Sequence, residues 1–286
     1  MDAYHKQYRQ IHKGVKFYFY LNSDTLEEDI KWITENKIEN IRLSQYDGYR
    51  LKTIEPVLRL KRVKALAIFI EGADLSKLTE LHQLDDLIIG EQNLNIDLSG
   101  LQHLKSLYLL HHKNVKGLDT LNNLEKLILV KSDIGFFKEE LFRSWPKLKD
   151  LTFLSPRLPG DLSFLKHQKS LRELEIDHSR SKFEVGELQQ LKDSLEVLSI
   201  GNCKGVTGIY ELLPRLKQLK SFTLTDSVVL KDSQFADLMP NLEMLAVLGS
   251  SYFENGDIKN LARLKHVGID DKKHYNLKSK DLISTL

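Results

Sequence analysis

The chain has 286 residues, and its 42 Lys and Arg against 40 Asp and Glu give a formal net charge of +2, so no basic face of the kind nucleic acid requires is expected. A single cysteine, Cys203, excludes an intrachain disulfide. No stretch approaches the roughly 18 apolar residues of a spanning helix, and no membrane association is expected.

The opening MDAYHKQYRQIHKG lacks the apolar run of a signal peptide. No Asn stands in an Asn-x-Ser/Thr acceptor context. Both observations agree with a reducing, cytoplasmic setting. Next, Val15-Lys16-Phe17-Tyr18-Phe19-Tyr20-Leu21 alternates as a strand does. Ser23 and Asp24 then precede Leu26, Ile30 and Ile33, a helical face with a candidate N-cap. Residues 1–37 are expected to form a strand–helix cap.

From residue 38 one pattern recurs: apolar, two variable, apolar, one variable, apolar. It reads Ile38-Ile41-Leu43, Val63-Leu66-Ile68, Leu84-Leu87-Ile89, Leu104-Leu107-Leu109, Leu124-Leu127-Leu129 and Leu148-Leu151-Phe153. It continues as Leu171-Leu174-Ile176, Leu195-Leu198-Ile200, Leu219-Phe222-Leu224, Leu242-Leu245-Val247 and Leu264-Val267-Ile269. Successive copies begin 25, 21, 20, 20, 24, 23, 24, 24, 23 and 22 residues apart. The last two apolar residues of each copy share one side of a strand and enter a core; the residues beside them face the other way. One unit cannot bury its apolar side alone, whereas stacked units share a continuous core.

The segments between strands carry apolar pairs three apart, such as Leu75 and Leu78, Leu98 and Leu101, and Leu162 and Leu165. That spacing suits one helical or 3₁₀ turn behind the sheet. Longer units have room for helices at Phe137–Trp145, Ile209–Leu213 and Gln234–Met239, with Pro146, Pro214 and Pro240 at or after their ends. At the C-terminus Leu277, Leu282, Ile283 and Leu286 suggest a short covering helix. The expected organisation is a cap over 1–37, eleven repeats over 38–270 and a cap over 271–286.

The repeated motif resembles the leucine-rich-repeat family over about residues 38–270, and its spacings fall in that family's roughly 20–29-residue period. The resemblance implies an α/β solenoid: a horseshoe with a concave parallel β-sheet and short helices or 3₁₀ turns on the convex side. The family places Asn or Cys three residues beyond the last strand leucine. Here that place holds Glu71, Gln92, His112, Ser132, Pro156, Ser179, Cys203, Ser227 and Ser250. The match is loose, which suggests a divergent member similar to signal-less bacterial repeat proteins, and Pro156 predicts an irregular turn.

The resemblance also makes the concave strand positions the binding surface. Phe69, Ile88, Tyr108, Leu110, Ile128, Val130 and Leu154 form an apolar band there, the composition of an interface; β-propensity alone also places Ile, Val and Tyr in exposed strands. Glu173, Glu175 and Asp177 form an acidic row on one strand. Three carboxylates on one face do nothing for folding and would attract a basic partner; a solvated face balanced by Arg172 and Lys192 is the other reading. Together they point to a protein partner with an apolar patch next to basic residues.

No phosphate loop, dinucleotide fingerprint, zinc-protease helix or paired-cysteine site occurs. Asp177-His178-Ser179 has triad residue types, but contiguous residues make no spatial relay. His111-His112 and the His266, Asp270, His274 group are weak metal candidates, and Cys203 suits a buried turn better than a nucleophile. No catalytic residue, metal or cofactor is expected. The sequence thus supports a non-enzymatic protein-binding scaffold or adaptor, with an intracellular inhibitor of a basic toxin or enzyme as the alternative.

Overall fold

A computed structural model describes residues 8–10, 17–91, 94–110 and 115–283. Val15, Lys16, Gln92, His111, His112 and Leu286, which figure in the sequence reading, lie outside the described residues. The chain divides into two compact units, Met1–Leu127 and Ile128–Leu286.

The first unit opens with strand β1 (Tyr8–Gln10) and strand β2 (Phe17–Tyr20), which pair antiparallel. The antiparallel strand was not anticipated from the sequence. A helix at Leu26–Glu35 follows, with Thr25 rather than Ser23 or Asp24 at its N-cap. Those two residues are drawn away: the Ser23 hydroxyl accepts the Arg50 N–H at 2.8 Å, and the Asp24 carboxylate pairs with the Arg50 guanidinium. Buried Asp29, inside the first helical turn, accepts the Asn22 N–H at 3.0 Å, and burial raises its pKa above the usual value.

Parallel strands then stack: β3 (Asn40–Ser44), β4 (Ala65–Phe69), β5 (Asp86–Ile89) and, after the short β6 (Ile96–Asp97), β7 (Ser106–Leu110). Their register aligns the repeated apolar residues, with Leu66 beside both Ile41 and Leu87, and Leu87 beside Leu107. Ile41, Leu66, Leu87 and Leu107 are buried, and Leu75, Leu78, Leu98 and Leu101 close over them from the returning segments. The first of those segments holds a short 3₁₀ turn at Leu78–Glu80, and β6 pairs with β8 (Val115–Lys116) in a second, two-stranded sheet. A carboxylate sets each turn: Asp74 accepts the Ser76 N–H at 2.9 Å and Asp97 the Ser99 N–H at 3.0 Å. Strand β9 (Lys126–Val130) carries the boundary between the units.

The second unit repeats the scheme. Its sheet runs through β10 (Asp150–Leu154), β11 (Glu173–Asp177), β13 (Val197–Gly201), β15 (Ser221–Thr225), β16 (Met244–Leu248) and β17 (His266–Ile269), all parallel, while β12 (Phe183–Glu184) pairs with β14 (Val206–Thr207) behind it. The helices expected here are shorter than the apolar spacing suggested. They cover Glu139–Arg143 and Ile209–Leu212, and Gln234–Leu238 is 3₁₀. Five phenylalanines and a tryptophan pack around the first of them: Phe142 lies 4.6 Å from Phe164 and 5.1 Å from Trp145, ring centre to ring centre. A helix at Ser279–Ile283 follows the last strand, with Leu282 buried.

The turns leaving these strands share one conformation. The residue after each of β9, β10, β11, β13, β15 and β16 adopts positive φ: Lys131 at 55°, Ser155 at 53°, His178 at 54°, Asn202 at 53°, Asp226 at 47° and Gly249 at 67°. Each such N–H, up to Asp226, donates to the carbonyl ending the next strand, as from Ser155 to Asp177 at 2.8 Å and from Asn202 to Thr225 at 2.8 Å. The backbone of the Pro156 turn follows the same path, but the proline lacks the N–H that Ser179, Cys203 and Ser227 donate at this place, so the turn is regular in φ and irregular, as expected, in its side-chain rung.

A side-chain ladder runs beneath the turns. The Ser179 N–H meets the Cys203 sulfur at 3.5 Å, the Cys203 N–H donates to the Ser227 hydroxyl at 3.1 Å, and the Ser227 N–H donates to the Ser251 hydroxyl at 2.9 Å. Ser251, not Ser250, is the last rung. Gly249 takes the left-handed position and the turn beyond it is one residue longer, which shifts the register.

Candidate binding face

Alternation along each strand sends one set of side chains into the core and the other onto the open face. On the first unit, cross-strand neighbours build a row of Tyr20, Arg42, Ala67, Ile88 and Tyr108, one residue per strand. Phe69, Ile88, Tyr108 and Leu110 on this face are half-buried. Two positions that strand alternation turns outward are not exposed: Ala65 and Ala67 are only 1% and 0% accessible. With Tyr18 they form a small apolar cluster on the open face, against which Phe69 and Ile88 pack.

The physical reason is steric. Alanines lie low on the sheet, so larger rings from neighbouring strands lie down over them. Gly90 acts the same way, since a Cβ there would stand 2.2 Å from the Phe69 ring. The Arg42 guanidinium covers the assembly, 4.2 Å from the Phe69 ring centre and 5.2 Å from that of Tyr20. It is held by Asp47 at 3.1 Å. Asp86, likewise turned outward by alternation, is 9% accessible. Burial and then the Asp86 charge push the Tyr18 hydroxyl pKa far up, and burial raises that of Tyr108. Tyr18 and Arg42 belong to the face although neither was among the expected contact residues; the alternation of Phe17–Tyr20 is the signal that places Tyr18 and Tyr20 on one side.

On the second unit, Ile128, Val130 and Leu154 are half-buried at outward positions. Glu173 and Glu175 on β11 are exposed, flanked by Asp150 and Thr152 on one side and Val197 and Ser199 on the other. The Thr152 hydroxyl reaches Glu175 at 3.5 Å. Asp177 differs from its two companions. Its carboxylate accepts the Asn202 side-chain N–H at 3.0 Å and meets His178 Nδ1 at 2.7 Å, so it is turned into the turn edge. Of the proposed neutralisers, Arg172 instead pairs with Glu196 at 2.5 Å.

The remaining candidates have structural partners. The Ser179 hydroxyl donates to the Ser181 carbonyl at 3.1 Å rather than facing His178, so Asp177, His178 and Ser179 form no relay. Asp270 accepts the Gly249 N–H at 2.6 Å, and His274 Nε2 meets the Phe253 carbonyl at 2.9 Å. Among the described residues no group of three or more His, Cys, Asp or Glu is placed to hold a metal, and no helix is long and apolar enough to cross a membrane.

No known protein family matches the chain, and no curated protein matches it by sequence. Solved structures do match in shape. An internalin from Listeria monocytogenes aligns with a TM-score of 0.55 at 16% identity, over 88% of this chain and 72% of that one. TLR13, in its complex with ssRNA13, aligns with a TM-score of 0.52 at 18% identity, over 88% of this chain and 46% of that one. At these identities the likeness is one of fold, and with the stacked parallel strands and the repeated leucines it makes this chain a leucine-rich-repeat solenoid.

Proposed function

We propose that the chain is a non-enzymatic protein-binding module that grips its partner on the open sheet face. The observation that carries this reading is the half-exposed apolar surface at outward strand positions. It comprises Phe69, Ile88, Tyr108 and Leu110 on the first unit and Ile128, Val130 and Leu154 on the second. Apolar side chains left on a face that water would otherwise cover are typical of interfaces, and a rigidly packed tyrosine is a frequent anchor. Glu173 and Glu175 add an acidic pair, with Asp177 contributing charge from the strand end. The partner that fits is a protein bearing an apolar patch next to Lys or Arg. The fold-level neighbours, built on the same scaffold, support a binding role rather than a specific one.

The exposed acidic pair favours one narrower version: an inhibitor that covers the basic active site of a toxin or enzyme. Either version places the protein in the cytoplasm, where a lone thiol such as Cys203 stays reduced.

The test is affinity capture from the native cell, with the same captured protein quantified for each variant. Tyr108→Ala with Leu110→Ala should abolish capture without changing the melting profile. Glu173→Lys with Glu175→Lys should weaken it about tenfold or more, as desolvated charge pairs do. If both variants capture as the wild type does, the open face is not the contact surface. A captured enzyme whose activity the wild type blocks and the Glu→Lys variant does not would select the inhibitor reading.

A further inference from the structure

A second charged feature lies on the edge of the second unit where strands enter their turns. A cleft of about 350 Å³ there is lined by Ser179, Arg180, Ser181, Lys182, Asn202, Lys204 and Gly205. Three of these side chains are cations and none is an anion. Arg180 and Lys204 stand at equivalent places in consecutive turns, two residues past the left-handed His178 and Asn202. Arg157 holds the same place one turn earlier. Backbone bonds from Arg157 to Ser132 at 2.8 Å and from Arg180 to Pro156 at 2.9 Å keep these turns in step. The Lys182 stem lies against Gly205, where a Cβ would stand 2.7 Å from Lys182 Cγ, so the missing side chain makes its berth.

Several other cations of this unit are ion-paired. Arg143 and Lys166 meet Glu139 at 2.5 Å, Arg172 and Lys220 meet Glu196 at 2.5 and 2.6 Å, and Lys265 meets Glu243 at 2.9 Å. Among the described residues Arg180, Lys182 and Lys204 make no ion pair. Carboxylates of this and the adjoining repeats are engaged otherwise. Asp177 holds Asn202 and His178, Glu184 accepts the Gly186 N–H at 2.7 Å, and Asp226 accepts the Ser250 N–H at 2.8 Å.

We propose that this cleft docks an acidic segment of a protein partner. Turns repeat at roughly the 4.8 Å strand spacing, so Arg157, Arg180 and Lys204 span roughly 10 Å, the length of about three extended residues. Carboxylates on such a segment meet the cations one by one. A nucleic acid fits less well. The row is too short to follow a strand of phosphates, none of the lining side chains is aromatic to stack a base, and the exposed Glu173 and Glu175 of the same repeat repel a polyanion that runs on. The site sits on the turn edge, apart from the sheet face proposed above, and the two readings fail separately.

The probe is a fluorescently labelled hexaglutamate peptide, followed by anisotropy at low salt. Wild-type protein should bind it, and more weakly as salt rises. Arg180→Glu with Lys182→Glu and Lys204→Glu should reduce affinity about tenfold or more, and the corresponding Gln substitutions should reduce it severalfold, with melting unchanged. A charge-matched control, Lys138→Glu with Lys231→Glu and Lys273→Glu, should bind within about twofold of wild type. Glu173→Lys with Glu175→Lys should bind at least as tightly as wild type, whatever it does to capture on the sheet face. No binding by wild type, equal loss in the control, or tighter binding of single-stranded oligothymidine than of hexaglutamate would each overturn the proposal.

Discussion

Cys203 shows how one residue serves the fold. Its sulfur sits 3.0 Å from the Gly201 carbonyl and 3.5 Å from the Ser179 N–H, on the ladder beneath the turns. Burial, and secondarily the Asp177 charge, push its thiol up to about 11 from an ordinary 9.0. A thiol raised in this way stays protonated and unreactive at neutral pH. We expect Cys203 to react with a thiol reagent at pH 8 only after denaturation; rapid labelling of the native protein would place it outside the core. The linkage follows from the direction of the shift. The folded pKa lies above the unfolded one, so this contribution is complete below about pH 9 and is lost as pH rises toward about 11. Comparing the alkaline stability profile with that of Cys203→Ser isolates it from the tyrosines; identical profiles between pH 8.5 and 11 would show the thiol does not titrate there.

At the scale of elements, the turn decides the register of the ladder. Gly249 has φ +67°, and a Cβ there would stand 2.1 Å from an Asp226 carboxylate oxygen. Gly249→Ala is expected to destabilise the protein by about 1–2 kcal/mol, from left-handed strain and the displaced carboxylate; a neutral result in chemical denaturation would mean that the turn relaxes freely. The strands themselves were readable from the sequence, since apolar residues two apart on a regular spacing leave little choice of register. The turns were not. Ser250 has the right spacing from Val247 and the right chemistry, yet Ser251 is the rung, because the extra residue is absorbed by a backbone conformation that side-chain patterning does not encode. The Pro156 turn divides the same way: its backbone keeps the shared φ and backbone bonds, while its missing N–H interrupts the ladder as the proline predicts. Strand β1 escaped notice because three residues are too few for a period to show.

Over the whole molecule, stability comes from stacking, each repeat burying its leucines against its neighbours. Leu198 is 0% accessible between β11 and β15, and Leu198→Ala should cost about 2–5 kcal/mol as a core truncation. Loss of amide-exchange protection should be largest in β11, β13 and β15 and smaller at β17; an unchanged midpoint would contradict the inward register of that strand. By itself the sequence determined the repeat, the parallel strands and which residues face inward, because a period of two along a strand and one of about 22 residues along the chain are written in residue type alone. It also picked out the outward residues of the candidate site. Which of those remain available was decided only by tertiary structure. Ala65 and Ala67 vanish beneath rings from other strands, and Asp177 is held by Asn202 twenty-five residues on, while Glu173 and Glu175 stay exposed. The availability of a side chain depends on what neighbouring repeats lay over it, and that is a property of contacts between repeats rather than of any one segment.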